Sequence, residues 1–212
     1  EHIAKKGKPV LMATGASTLD EVKMAMDILQ KHTSDIVLMQ CNTNYTASVE
    51  NLEYMNLNVL RTYADLFANV VLGLSDHTHG HATVLGAIAL GARVFEKHLT
   101  DDNSREGPDH KFAMNPATWR DMVDRANEVY LALGDGEKKI EENEQETAVV
   151  QRRGLRFTRD LQAGHIIEDQ DLFPLRPRNP DGIPPYEINN LVGKELIRDV
   201  KADDYIRWED VE

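Results

Sequence analysis

The chain has 212 residues, 41% hydrophobic and 28% charged, an ordinary composition for a soluble globular protein and enough for one large domain or two small ones. Its 24 basic and 36 acidic residues leave a net charge of −12, which repels phosphate backbones and excludes a general nucleic-acid binder. The lone cysteine, Cys41, excludes an internal disulfide and fits a reducing cytoplasm, and no apolar run approaches the roughly 18 residues that span a bilayer.

Residues 1–9 are basic and polar, so they form no signal peptide. They lack an initiator methionine and read like interior sequence, so the expectation is a chain that begins inside a larger protein. Residues 9–14 are a short apolar run ending at Gly15, the pattern of a buried parallel strand. Thr18 and Glu21 form a capping box, and Val22, Ala25, Met26 and Leu29 give a helix over 18–31. The cycle then repeats. A strand is predicted at 35–41, a polar loop at 42–51 and a helix through Leu57, Leu60, Tyr63, Ala64 and Phe67. A third strand follows at 69–74, a small-residue helix at about 81–90 and a fourth strand at 92–97. Asn115 caps a last helix with Pro116 in its first turn; Trp119, Met122, Val123, Ala126, Tyr130 and Leu133 form its apolar face, and Gly134 ends it.

Four strand–helix units in a row imply parallel strands with right-handed crossovers. An open doubly wound sheet and part of a (β/α)8 barrel both fit, although no glycine-rich dinucleotide loop is present. A full barrel needs eight units and about 250 residues, so as a barrel this is a half, with two open sheet edges. The chain divides into barrel units at 1–134, a charged linker at 135–151, part of which reads equally well as a solvated helical face, and a small β-rich domain at 152–212. That last stretch holds an internal echo. Arg159-Asp160-Leu161-Gln162-Ala163 matches Arg198-Asp199-Val200-Lys201-Ala202, and the same offset aligns Ile167 with Ile206, Asp171 with Asp210 and Leu172 with Val211, the mark of a pseudo-symmetric fold.

In parallel α/β folds ligands bind beyond the carboxyl ends of the strands. There the chain places Thr14-Gly15-Ala16-Ser17, Asn42-Thr43-Asn44-Tyr45, Ser75-Asp76-His77-Thr78 and Glu96-Lys97-His98-Leu99-Thr100. His77 and His98 lie just past consecutive strands, and strands about 4.8 Å apart bring side chains of equal depth to one metal ion. The alternative is that each histidine bonds loop carbonyls. His79 and His81 begin a helix that points away. Asp109 and His110, in a Gly-Pro turn, are acid–base or supporting candidates, or part of a solvated turn. Thr14, Ser75 and nearby backbone N–H groups are candidates for a phosphate. Cys41 reads as a buried small hydrophobe more readily than as a nucleophile.

Three segments, Gly73-Leu74-Ser75-Asp76-His77-Thr78, Glu96-Lys97-His98-Leu99-Thr100 and Glu106-Gly107-Pro108-Asp109-His110, together resemble the sialic acid (nonulosonic acid) synthase family. Lys8-Pro9 through Thr14-Gly15 and Leu175-Arg176-Pro177 extend the likeness over nearly the whole chain. The resemblance implies the C-terminal half of a (β/α)8 TIM barrel followed by an antifreeze-like (SAF) domain. It implies a cytoplasmic enzyme that joins phosphoenolpyruvate to an N-acetylated aldose, and a divalent metal, Mn2+ with Mg2+ or Co2+ as alternatives, on His77 and His98. By the same likeness Ser75, Thr14 and Thr43 border phosphoenolpyruvate, Tyr45 and Asp109 line the sugar site, and Arg176 reaches the partner's active site in a domain-swapped homodimer. The family's catalytic glutamate and phosphate-binding lysines belong to the amino-terminal half, which this chain does not contain.

The chain departs from the family at Ala13, where many members have serine. It departs at Gln40-Cys41-Asn42-Thr43-Asn44-Tyr45-Thr46, where many have His-Cys-Thr before a Tyr-Pro. It also has Arg176-Pro177-Arg178-Asn179-Pro180 in place of Arg-Pro-Gly-Asn-Gly, and the added Arg178 is a candidate determinant of sugar choice. Two alternatives stand beside this reading: a barrel that makes 3-deoxy sugar acids from phosphoenolpyruvate, which would lack residues 152–212, and a non-catalytic carbohydrate- or ice-binding protein built on the tail.

Overall fold

The computed structural model describes residues 1–45 and 48–212; Thr46 and Ala47, in the expected loop at 42–51, lie outside the described residues. The chain forms two compact units, Glu1–Gly136 and Glu137–Glu212. The first holds β1 (Val10–Ala13), α1 (Leu19–Leu29), β2 (Ile36–Cys41), α2 (Val59–Leu66), β3 (Val71–Asp76), α3 (Ala82–Ala89), β4 (Val94–Lys97) and α4 (Pro116–Ala132). The four strands are all parallel and lie side by side in chain order.

The strand order and the burial pattern decide between the two architectures. A doubly wound sheet reverses its order and is covered on both faces. Here the order runs straight through, and alternate residues of every strand pack under the helices. Val10, Ile36, Leu38, Leu72 and Leu74 share one core with Val22 and Met26 of α1, Leu60 and Tyr63 of α2, Val84, Ala87 and Ile88 of α3, and Met122 of α4. The intervening residues form the opposite, concave face, on which Leu11 and Val71 are about half exposed. One covered face and one concave face make this half of a (β/α)8 barrel. Gly73 lets that face close up: a Cβ there would lie 2.6 Å from Met39 Cγ and 2.8 Å from the Val94 carbonyl.

Local chemistry sets the element ends. Thr18 and Glu21 cap α1 reciprocally, and Asn115 does the same for α4 through Thr118. The second helix begins later than its apolar pattern suggests, because Asn56 takes a left-handed turn at φ 44°. Strand β4 begins at Val94 rather than residue 92, because Ala92 N–H still bonds the Ala87 carbonyl that ends α3. Within the expected polar loop, Val49–Tyr54 coils into a 3-10 turn that buries Asn51. Among the described residues no helix is long and apolar enough to cross a membrane.

The second unit adds α5 (Gln145–Val150) within the stretch expected as linker, and the Val149 carbonyl accepts the Arg178 N–H at 3.2 Å. Strands β5 (Gly154–Phe157) and β6 (Leu172–Leu175) pair antiparallel, and the other described pairings are single bridges. Around this small sheet the sequence echo is realised as a pseudo-dyad. Leu161 and Val200 exchange N–H···O bonds at 3.1 and 2.9 Å. Asp160 accepts the Ala202 N–H and Asp199 the Ala163 N–H, both at 2.9 Å. Arg159 pairs with Asp171 and Arg198 with Asp210, and both carboxylates are fully buried.

Asp171 is the more heavily bonded of the two. Burial alone pushes its carboxyl up, but His165 at 2.7 Å, the Glu168 N–H at 3.0 Å and Arg159 together hold it below the usual carboxylate range. A lowered folded-state value means that the unfolded chain binds more protons. The stabilisation is therefore complete above about pH 4 and is lost as pH falls through the folded value. Asp171→Asn is expected to cost about 1–3 kcal/mol at pH 7, with a smaller difference from the unaltered chain at pH 3. Urea unfolding at the two pH values measures both; equal losses at both would refute the charged-group account.

Candidate functional site

Strands β3 and β4 pair in register as Ser75 with Glu96 and Asp76 with Lys97. Side chains alternate along a strand, so these pairs fall into ranks on opposite faces. Ser75 and Glu96 meet on the concave side, where the Ser75 hydroxyl donates to Glu96 Oε1 at 2.9 Å. Asp76 and Lys97 meet on the helix side, at 2.6 Å. The next residues, His77 and His98, return to the concave side with ring centroids 5.2 Å apart.

The His77 imidazole is held by Nδ1, and His98 turns its Nδ1 toward a carboxylate. The Asn42 carbonyl lies 2.9 Å from His77 Nδ1. A carbonyl only accepts, so that nitrogen carries a proton and Nε2 is the ring atom left to face a ligand. Asp109 Oδ2 lies 3.3 Å from His98 Nδ1 and favours the same tautomer. Tyr45 tilts against His77 at 4.2 Å, and Phe112 lies 5.0 Å from the His98 ring. Among the described residues no cluster of three or more His, Cys, Asp or Glu is arranged to hold a metal. A divalent cation on this pair would take its other ligands from substrate and water, the open arrangement of a catalytic site. Neutral imidazole is a suitable donor for such ions, so the residues present fit the group.

A buried polar layer supports the pair. Lys97 Nζ donates to Asp76 Oδ2 and, at 2.8 Å, to the Thr78 carbonyl. Thr83 of α3 donates to the same carboxylate oxygen at 2.5 Å, and the Thr78 N–H donates to the other at 2.9 Å. The loop carrying Asp109 is held by Asn103, whose amide donates to the His110 and Ala113 carbonyls at 2.8 Å each. His110 is committed to Thr100 through Nδ1 at 2.7 Å.

The structure gathers His77, His98, Asp109, Tyr45 and Ser75 at one end of the sheet. Thr14 lies at the end of β1, but its hydroxyl is already engaged. It donates to the Met39 carbonyl at 2.9 Å and accepts from Tyr63 at 3.0 Å. Thr43 is exposed and packs its methyl over Gly15, leaving no room for a side chain there. Arg176 belongs to the second unit, exposed just after β6. His79 is exposed, and His81 sits 3.6 Å from Asp121 of α4, away from the histidine pair. Sequence reasoning missed Phe112 and the Asp76–Lys97 pair. The pair was open to discovery through the alternation of the two strand ends, whereas Phe112 sits in a loop without periodicity.

Comparison with known proteins follows the same division. The NeuB family model matches residues 1–138 and the SAF domain model residues 152–212. The chain is 37% identical over its whole length to the N,N'-diacetyllegionaminic acid synthase of Legionella pneumophila, of which it spans 59%. It is 31% identical over 99% of its length to the human N-acetylneuraminate-9-phosphate synthase, of which it spans 57%. Among solved structures, the spore coat polysaccharide biosynthesis protein SpsE of Bacillus subtilis aligns with all of this chain and 63% of its own, at a TM-score of 0.57 and 29% identity.

Cys41 lies under this site, with Sγ 3.9 Å from His77 Nδ1. Burial pushes its thiol up, and the Glu96 charge adds to that, outweighing a hydrogen bond with Ser75. The raised value leaves less thiolate at any pH near neutral, and only the thiolate attacks. Alkylation of folded Cys41 by iodoacetamide at pH 8 is expected to be at least about tenfold slower than in the urea-unfolded chain. Equal rates would contradict a buried, protonated thiol.

Proposed function

The chain belongs to the NeuB family, with a SAF domain following the family segment, and on that premise we propose that the full protein condenses phosphoenolpyruvate with an N-acetylated aldose. The products would be a nine-carbon 2-keto acid and inorganic phosphate. The observation that carries this reading is the histidine pair at the strand ends on the concave side, the His77 ring held through Nδ1 by the Asn42 carbonyl and the His98 Nδ1 beside Asp109. A divalent cation, manganese in the first instance, would when bound supply Lewis acidity toward an aldehyde oxygen. His77 and His98 would present it with two neutral imidazoles of fixed tautomer.

In the reaction C3 of phosphoenolpyruvate bonds to the aldehyde carbon, water adds at C2, and the C2–O bond to phosphate breaks. The side chains divide this work. Tyr45 and Phe112 wall the histidines with apolar surface that limits water. Asp109, held beside His98, would accept from a sugar hydroxyl. Ser75 would turn its proton from Glu96 to an anionic oxygen of phosphoenolpyruvate. The carboxylate rank of Glu96 gives this face an acceptor for a proton in transit.

Sugar choice follows from the relatives only in outline, because the two named above are called synthases of different acids. The higher identity to the diacetyllegionaminic acid synthase makes a di-N-acetyl hexose the first substrate to try, with N-acetylmannosamine next. The test is manganese-dependent phosphate release from phosphoenolpyruvate by the full-length protein with a panel of such sugars. Release with one sugar, abolished by EDTA and lowered at least about a hundredfold by His77→Ala, is expected. A folded, manganese-loaded protein that releases none with any sugar would overturn the proposal.

The same reading makes the enzyme a cytoplasmic homodimer in which Arg176 of the SAF domain serves the other subunit's site. Mixing Arg176→Ala subunits with His77→Ala subunits, each inactive alone, is expected to restore up to about one working site in each mixed dimer. Absence of recovery would count against the exchange.

A further inference from the structure

We propose that the buried Asp76–Lys97 pair is the positioning element of the histidine site, fixing the pitch of His77 against His98 and thereby the site's affinity for a divalent cation; this rests on the reading of those histidines as metal ligands. The strand ladder ends at the pairing of Asp76 with Lys97. Each histidine therefore lies one residue beyond the last in-register pair, where backbone pairing no longer sets the distance between the two chains.

Lys97 takes over that task. Its ammonium bonds Asp76 on one side of His77 and the Thr78 carbonyl on the other, so the backbone of His77 is bracketed from both sides. The Thr78 N–H returns to Asp76 Oδ1 and closes the bracket across the turn that follows β3. Thr83 then ties Asp76 to α3, so the bracket is fixed to the helix layer as well as to β4. His98 follows Lys97 directly, and its carbonyl accepts the Met114 N–H at 2.8 Å, which fixes its other side.

None of these groups faces the concave side, and the side chains of Asp76 and Lys97 are 0% and 2% exposed. They act through the histidines rather than on a ligand. An apolar pair of the same volume would fill the space equally well and can equal or exceed a buried ion pair in stability. It would lack directional bonds to the residues on both sides of His77.

That difference is the test. Manganese affinity is measured on the full-length protein by the electron paramagnetic resonance of the free ion, together with the thermal midpoint. The double variant Asp76→Leu, Lys97→Met removes the bonds and keeps the bulk. Thr83→Val loosens only the anchor to α3. The double variant is expected to hold its thermal midpoint and bind manganese about tenfold more weakly, and Thr83→Val to bind a few-fold more weakly. Unchanged affinity in a folded double variant overturns the proposal. Should the double variant not fold, unchanged affinity in Thr83→Val overturns it. If the unaltered protein binds no manganese, or binds it equally with both His77→Ala and His98→Ala in place, the metal reading itself fails and the inference with it.

Discussion

The first unit depends most on the in-register parallel pairing of β3 with β4. Because side chains alternate along each strand, the register that pairs Ser75 with Glu96 and Asp76 with Lys97 also sends the histidines that follow them to a common face. Ser75 and Glu96 go to the concave face, Asp76 and Lys97 to the helix layer, and His77 and His98 back to the concave face. A slip of β4 by one residue would turn Glu96 and His98 into the helix layer and put Lys97 on the open side, leaving the Asp76 carboxylate buried without its cation. The buried charges therefore argue for this register as strongly as any apolar contact does.

The pair also shows how stability and function weigh differently at one place. A buried ion pair is weak evidence of net stabilisation, yet removing one partner costs about 3–5 kcal/mol because the other charge is left alone. Here every polar atom of the carboxylate is engaged, by Lys97, Thr83 and the Thr78 N–H. The layer is rigid because it is fully bonded, and it lies directly behind the face where the histidines meet.

The second unit solves the small-domain problem by another route. Its strands are four residues long and its apolar core is small, so side chain-to-backbone bonds carry much of the architecture. The two copies of the repeat bond each other reciprocally through Asp160 and Asp199, and each copy buries one arginine-paired aspartate. Those carboxylates accept both a guanidinium and a backbone N–H. They fix the turns that regular sheet pairing would fix in a larger domain.

By itself the sequence determined the strand–helix alternation and the ends that a local cap marks, because periodicity and capping are local: the Thr18–Glu21 box, the Asn115-Pro116 start, and the placement of His77 and His98 just past consecutive strands. It also held the offset between the two halves of the tail, since a repeat is visible without coordinates. The half barrel was left open against a doubly wound sheet until strand order and one-sided burial decided it, and both are long-range properties. Tertiary structure alone committed the Thr14 hydroxyl to Met39 and Tyr63, brought Cys41 under His77, put Phe112 against the imidazoles and drew α5 into the second unit. It also closed Lys97 onto both sides of His77. Each of these joins residues far apart in the chain or on different strands, and no local pattern encodes such a meeting; it exists only once the strands have chosen their neighbours and their register.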